Sequence, residues 1–334
     1  MHNAAVIGAG AFGTALSSVL ADAGSDVTLW VREEDVCRSI AEQHENTTFM
    51  PGQAIPEAVR PTTDLVEAVS GRDLVVVAVP TEFLRGVMTE AAAHLAEDTV
   101  ICTVSKGIEV ETLQTMADVQ RAVLPLPLHR GLAFLSGPSF AKEIMSRHPT
   151  TVTVAAQDLE LAGRVQQAMT TPYFRIYTTN DVIGVEVGGS VKNVMALAAG
   201  IADGLGFGAN TRAALITRGL AEITRLGVRM GANPLTFAGL AGMGDLVLTC
   251  TSNLSRNRTV GLKLGEGMKL DEILAEMNAV AEGVRTTRSV HALSQQLGVE
   301  MPIVHQVHAI LYEDKDPRQA LFDLMTRALK QELG

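Results

Sequence analysis

The residue with the clearest claim to chemistry is Lys192, set in the run Gly188-Gly189-Ser190-Val191-Lys192-Asn193-Val194-Met195-Ala196-Leu197. Removal from water disfavours an ammonium group, so a lysine in so apolar a stretch drops toward the range in which it trades protons near neutral pH. The competing reading is a lysine that snorkels its charge to the surface. Inside a helix each of the paired glycines costs about 1 kcal/mol relative to alanine, so their presence implies that something packs tightly against this segment. A second constellation, Ala241-Gly242-Met243-Gly244-Asp245-Leu246 with Thr249, leads on to Ser255-Arg256-Asn257-Arg258. Arg256 with Ser255 and Asn257 has the makings of a phosphate clamp, because guanidinium binds phosphate bidentately; exposed loop decoration is the alternative.

Phosphate chemistry is also written at the N-terminus. Gly8-Ala9-Gly10-Ala11-Phe12-Gly13 follows an apolar run and opens a helical stretch. In that context G-x-G-x-x-G reads as a dinucleotide fingerprint. Gly8 allows the tight turn, Gly10 lets backbone approach a pyrophosphate, and Gly13 lets the helix pack closely on the strand. After the second apolar run comes Trp30-Val31-Arg32-Glu33-Glu34. Arg32 there suits the 2′-phosphate of NADP and Glu33 the 2′-hydroxyl of NAD, so both cofactors are expected, with NADP favoured; a plain surface ion pair is the alternative for Arg32. Ser105-Lys106-Gly107 and Ser136-Gly137-Pro138-Ser139-Phe140-Ala141 sit just past two further apolar runs, where ligand crevices form in open α/β sheets. Lys106 also reads as a solvated loop lysine, and Ser139 as a helix N-cap.

These residues need a scaffold, and the apolar pattern supplies one. Val-, Ile- and Leu-rich runs at residues 4–7, 27–31, 74–79, 100–104, 132–135 and 152–155 predict strands buried on both faces. Helical stretches at 13–23, 81–95, 115–123 and 159–169 alternate with them, so a doubly wound parallel sheet is expected. The interval 46–61 carries Pro51, Gly52, Pro56 and Pro61 and reads as a loop. Beyond about residue 180 the pattern becomes helical: 181–203, 210–230, 270–277, 283–297, 302–311 and 317–333. The expected architecture is α/β: a Rossmann-type dinucleotide-binding domain over 1–180, then an all-helical substrate and catalytic domain over 181–334.

Composition excludes other classes. With 334 residues, 47% of them hydrophobic, there is ample material for a core. The 27 Lys and Arg against 37 Asp and Glu give a net charge of −10, so no nucleic-acid partner is expected. Three scattered cysteines (Cys37, Cys102, Cys250) make no disulfide framework and no zinc site, which points to a reducing cytoplasmic setting. His305 and His308 lack a nearby ligand-forming partner in sequence, and no metal is expected. Residues 4–21 carry no charge, but the glycines that interrupt them and the absence of a preceding Lys or Arg argue against a leader; no later stretch reads as long enough to span a bilayer.

Taken together and in order, the motifs resemble glycerol-3-phosphate dehydrogenase. The run 189–196 through Gly204-Leu205-Gly206-Phe207-Gly208-Ala209-Asn210 carries most of the likeness, with residues 8–13, Leu29-Trp30, 105–107, 136–139, 241–245 and Arg256-Asn257-Arg258. Ser190 departs mildly from the Ala or Thr more common in the family. The resemblance implies reversible reduction of dihydroxyacetone phosphate to sn-glycerol 3-phosphate, the glycerophospholipid backbone, with NADH or NADPH. It implies that Lys192 is the proton donor and acceptor, helped by Lys106 and Asp245. Lys106, Gly137, Ser139, Asn193, Asp245, Thr249, Ser255, Arg256 and Asn257 would contact substrate. Gly8, Gly10, Ala11, Phe12, Gly13, Arg32, Glu33, Lys106, Ala141, Arg256, Val280 and Glu282 would line the cofactor. A small-molecule phosphate is then the partner, and a homodimer fits related folds. The competing enzyme reading is a β-hydroxyacid dehydrogenase, which the phosphate clamp disfavours. A dinucleotide-sensing regulator is a third reading, for which the chain shows no output module.

Overall fold

The computed structural model describes residues 1–277, 281–329 and 331–332. Eight strands form one sheet: β1 (Asn3–Ile7), β2 (Asp26–Trp30), β3 (Val59–Thr62), β4 (Leu74–Val77), β5 (Val100–Thr103), β6 (Leu132–Ser136), β7 (Thr150–Ala156) and β8 (Phe174–Thr179). Their spatial order is β3-β2-β1-β4-β5-β6-β7-β8. Central strands are apolar at most positions, and β4 at all of them, because alternate side chains feed opposite cores. Ala4 and Val6 of β1 enter one buried cluster, and Ala5 and Ile7 enter the other. Val6 sits in register with Leu29 on one side and Val76 on the other.

The α/β, doubly wound architecture is as expected, with local differences. The sheet is not wholly parallel, since β6 and β7 pair antiparallel while every other neighbouring pair runs parallel. The proline-rich interval 46–61 is not loop throughout: its end enters β3, where Pro61 pairs with Leu29. That is permissible because β3 is an edge strand, where a missing N–H leaves no ladder bond unmade. The opposite edge, β8, alternates buried and exposed residues and carries Arg175, so it lacks the continuous apolar run of the inner strands.

From Val182 onward every regular element among the described residues is a helix. The central helix, Val182–Gly204, is capped by Asp181, whose side chain accepts from the Gly184 amide (3.0 Å). It is long and apolar enough to cross a membrane, contrary to expectation, yet 94% of its apolar window is buried inside the protein. Around it pack Ala209–Arg229, Asp245–Thr251, Arg256–Gly265, Glu282–Leu297 and Pro302–Tyr312. The last helix stops at Met325 rather than continuing to residue 333.

Arg256–Gly265 escapes the apolar pattern because its packing depends on glycine. Gly200 and Gly204 of the central helix face Gly261 and Gly265 of Arg256–Gly265. A methyl on Gly200 would overlap the Arg258 carbonyl oxygen, and one on Gly261 would overlap that of Leu197. Alanine at Gly200 gains roughly 1 kcal/mol in helix propensity, but overpacking two backbones in contact costs roughly 1–3 kcal/mol and has no side chain to absorb it. Because the overlap is with backbone, the cost lies at the upper end, and the expected result for Gly200→Ala is net destabilisation by about 2 kcal/mol in urea unfolding. An unchanged midpoint would show that the helices separate freely.

Candidate functional site

The C-terminal ends of the strands meet the helical half. After β1 the chain turns through Gly8, whose φ of +107° disfavours L side chains. Its amide donates to the Trp30 carbonyl at 3.1 Å. Gly13 presses on the Gly8 carbonyl so closely that any Cβ would overlap it, whereas Gly10 faces open space. The helix Ala11–Asp22 begins there, and Phe12 and Ala141 both pack, half-buried, on the sheet core beside it. Asn46, fully buried, holds the turn from behind: its Nδ2 donates to the Ala9 carbonyl (2.8 Å) and to Thr14 Oγ1 (2.9 Å). The turn thus leaves room for a ligand backbone only at Gly10 and beyond, as a dinucleotide pyrophosphate requires.

Past β2, Arg32 donates to Glu33 (3.1 Å), so the two opposing cofactor signals engage each other. The Arg32 guanidinium also lies 5.5 Å over the ring of Phe83, an aromatic side chain left 43% exposed at the start of the helix after β4. Neither Phe83 nor Asn46 stands out in sequence: one reads as an amphipathic-helix residue and the other as loop.

Past β5 and β6 lies a buried charge cluster. Lys192 Nζ donates to Asp245 Oδ1 (2.5 Å) and to Thr249 Oγ1 (2.9 Å). Lys106 Nζ donates to Asp245 Oδ2 (2.8 Å) and to the Gly137 carbonyl (3.3 Å). Thr249 in turn donates to the Asp245 carbonyl, and Ser136 Oγ reaches Asp245 Oδ2 at 3.4 Å. Lys106 and Lys192 thus share one carboxylate, and both sequence alternatives of solvated or snorkelling lysines are set aside by their 17% and 10% exposure. The paired glycines explain the approach. A Cβ on Gly188 would overlap the Ala241 carbonyl, and one on Gly189 would crowd Ser136 Oγ.

Burial pushes the Lys192 ammonium down to about 8, against the opposing pull of Asp245. Burial alone would raise Asp245, but the ammonium groups of Lys106 and Lys192 outweigh it and hold the carboxyl below its ordinary value. Two cations around one anion leave the cluster a net positive charge, suited to an oxygen that becomes negative.

The remaining expected residues fall nearby. Ser139 Oγ donates to the Gly137 carbonyl (2.8 Å) rather than capping a helix; Phe140 occupies that N-cap position. Ser255 caps Arg256–Gly265 by accepting from the Arg258 amide (3.3 Å), and Arg256 in its first turn is exposed. Asn257 is buried and turned inward, its Oδ1 accepting from the Gly283 amide (2.9 Å). Asn193 is buried with its carbonyl against Gly283. Glu282 accepts from the Thr81 amide (3.3 Å) and from Thr81 Oγ1 (2.8 Å), joining the helical half to the end of β4. Burial raises its pKa. Thr81 also touches Gly107, next to Lys106. Val280 lies outside the described residues.

Comparison with known proteins gives this arrangement a family. The model for the NAD-dependent glycerol-3-phosphate dehydrogenase N-terminus matches residues 3–162, and that for the C-terminus matches 181–322. This chain belongs to the glycerol-3-phosphate dehydrogenase family. A glycerol-3-phosphate dehydrogenase [NAD(P)+] of Geobacter sp. (strain M21) is 55% identical over 328 residues, covering 98% of each chain. One from Myxococcus xanthus (strain DK1622) is 57% identical over 329 residues, again covering 98% of each. The solved glycerol-3-phosphate dehydrogenase of Coxiella burnetii superposes with a TM-score of 0.92 at 40% identity, covering 98% of this chain and 99% of that one. A ketopantoate reductase from Ralstonia eutropha JMP134, at 15% identity and a TM-score of 0.59 over 96% of this chain and 99% of that one, shares the fold alone.

Proposed function

We propose that this chain catalyses reversible reduction of dihydroxyacetone phosphate to sn-glycerol 3-phosphate with NADH or NADPH, with residues 1–180 holding the dinucleotide and 181–334 the chemistry. The observation that carries the reading is the buried Lys192–Asp245–Lys106 cluster at the strand ends. It lies within a chain whose relatives bear that activity in their names.

When bound, the nicotinamide supplies hydride to the carbonyl carbon, turning the carbonyl oxygen toward an alkoxide. Lys192 gives that oxygen its proton and Lys106 stabilises the charge as it develops. Asp245 holds both ammonium groups in position and keeps Lys192 charged. Arg256, in the first turn of the helix that Ser255 caps, holds the phosphate, and that remote binding energy places the carbonyl beside Lys192. Gly137, Ser139, Asn193, Thr249 and Asn257 shape the substrate end. Gly8, Gly10, Ala11, Phe12, Gly13, Arg32, Glu33, Ala141 and Glu282 shape the cofactor end. The same reading gives a soluble cytoplasmic enzyme acting on a free small-molecule phosphate, without nucleic acid or membrane insertion, and as a homodimer.

The test is oxidation of NADH and of NADPH on addition of dihydroxyacetone phosphate, with 3-hydroxy acids as the contrasting substrates. Its pH dependence follows from Lys192. Reduction needs the charged amine, so kcat/KM in that direction should hold below the amine's pKa and fall as pH rises through about 8. Oxidation of glycerol 3-phosphate needs the neutral amine and should rise through the same interval. Profiles without opposite limbs there would remove Lys192 from the proton-transfer role.

A further inference from the structure

We propose that Asp203 is a positioning residue for the substrate phosphate, acting through Arg258 on the turn that carries Ser255, Arg256 and Asn257. The proposal rests on the functional reading above and adds a residue that contacts neither substrate nor cofactor.

Asp203 lies in the last turn of the central helix. That is the wrong end for a carboxylate, because the unsatisfied carbonyls there carry partial negative charge. It is also nearly buried, at 7% side-chain exposure. Two guanidinium groups offset both costs. Arg258 donates to Asp203 Oδ2 through Nε (2.9 Å) and Nη2 (2.6 Å). Arg212 donates to Oδ1 through Nε (3.0 Å) and Nη2 (2.6 Å). One carboxylate therefore ties three segments: the end of the helix bearing Lys192, the start of Ala209–Arg229, and the start of Arg256–Gly265.

Arg258 is the member that reaches the substrate end. Its Nη1 donates to Asn253 Oδ1 (2.7 Å) and its amide to Ser255 Oγ (3.3 Å), so it braces both sides of the turn 253–257. Its own carbonyl is pressed against Gly200. With an exposure of only 11%, the Arg258 guanidinium is spent on protein partners, whereas Arg256 two residues earlier is left exposed. Asp203 thus engages Arg258 on the protein side and leaves Arg256 as the exposed guanidinium of the Arg-Asn-Arg run. Loss of its charge releases Arg258 from that hold, so the turn 253–257 loses the brace that keeps Ser255, Arg256 and Asn257 in place.

Asp203→Asn tests this. The expected result is a KM for dihydroxyacetone phosphate raised about tenfold, the scale of one charge-assisted hydrogen bond. Inhibition by inorganic phosphate should weaken in parallel, with kcat within about threefold and the Kd for NADH unchanged. Arg258→Gln should raise KM similarly. The double variant Asp203→Asn/Arg258→Gln should be no worse than either single change, because the two residues act as one unit. Should Asp203→Asn fail to fold, Arg258→Lys, which keeps the charge but not the bracing of Asn253, should still raise KM. An unchanged KM in the folded variants, or loss of NADH binding together with kcat, overturns the proposal. A wild-type chain that fails to oxidise NADH with dihydroxyacetone phosphate overturns the functional reading and the proposal with it.

Discussion

Lys192→Ala is expected to lower kcat for dihydroxyacetone phosphate reduction by about 10³-fold, within the range typical of a lost general acid, while the Kd for NADH stays within about twofold. The separation follows from geometry. Lys192 stands on the central helix, whereas the glycine turn, Arg32 and Phe83 belong to the strand ends of the sheet. Removing Nζ also leaves Asp245 with Lys106 still bound to its other oxygen, so the carboxylate is not stranded. Stability should therefore change less than activity. Stopped-flow turnover with fluorescence titration of NADH separates the two effects, and near-normal turnover would sink the assignment.

Asp245→Asn should be worse for the fold and different in kind. The substitution keeps the shape but leaves two buried ammonium groups facing each other. Removing one partner from a buried charge cluster typically costs about 3–5 kcal/mol. Part of that cost is relieved if Lys192 loses its proton, since Asp245 is what opposes the desolvation of its ammonium group. The pKa of Lys192 then falls below its present value of about 8, and reduction at neutral pH fails for want of a proton. The expected signature is a lowered unfolding midpoint together with a reduction profile whose alkaline limb has moved to lower pH. A variant that loses activity with the limb unmoved would mean that Asp245 acts on the substrate rather than on Lys192.

The parts of the molecule legible in sequence are those in which local composition and spacing coincide with structure. Strands buried on both faces announce themselves as unbroken apolar runs, and the turn at residues 8–13 announces itself by glycine spacing. Lys192 is visible because a charge inside an apolar helix is rare. What hid was non-local or glycine-dependent. The helix Arg256–Gly265 reads as loop because its contacts are made by backbone, and β3 reads as loop because an edge tolerates Pro61. Asp245 and Lys106 are 139 residues apart, and Thr81 and Glu282 are 201 apart, so no window of sequence contains either pairing. Arg32 and Glu33 are adjacent and legible, yet only the structure shows them bonded to each other with the guanidinium over the ring of a half-exposed Phe83.

The crossing of the central helix with Arg256–Gly265 has a consequence for substrate choice. Lys192 and Gly200 are separated along one helix by about 12 Å of rise, and at Gly200 the main chain abuts the carbonyl of Arg258, beside the anion-holding turn. On the reading proposed above, this main-chain contact fixes the spacing of the two helices from which Lys192 and Arg256 reach the substrate, and the Asp203–Arg258 pair braces the turn beside it. The enzyme holds a ruler as well as a clamp, and a ketone phosphate longer by one methylene meets it as a mismatch in length however well its charge is matched.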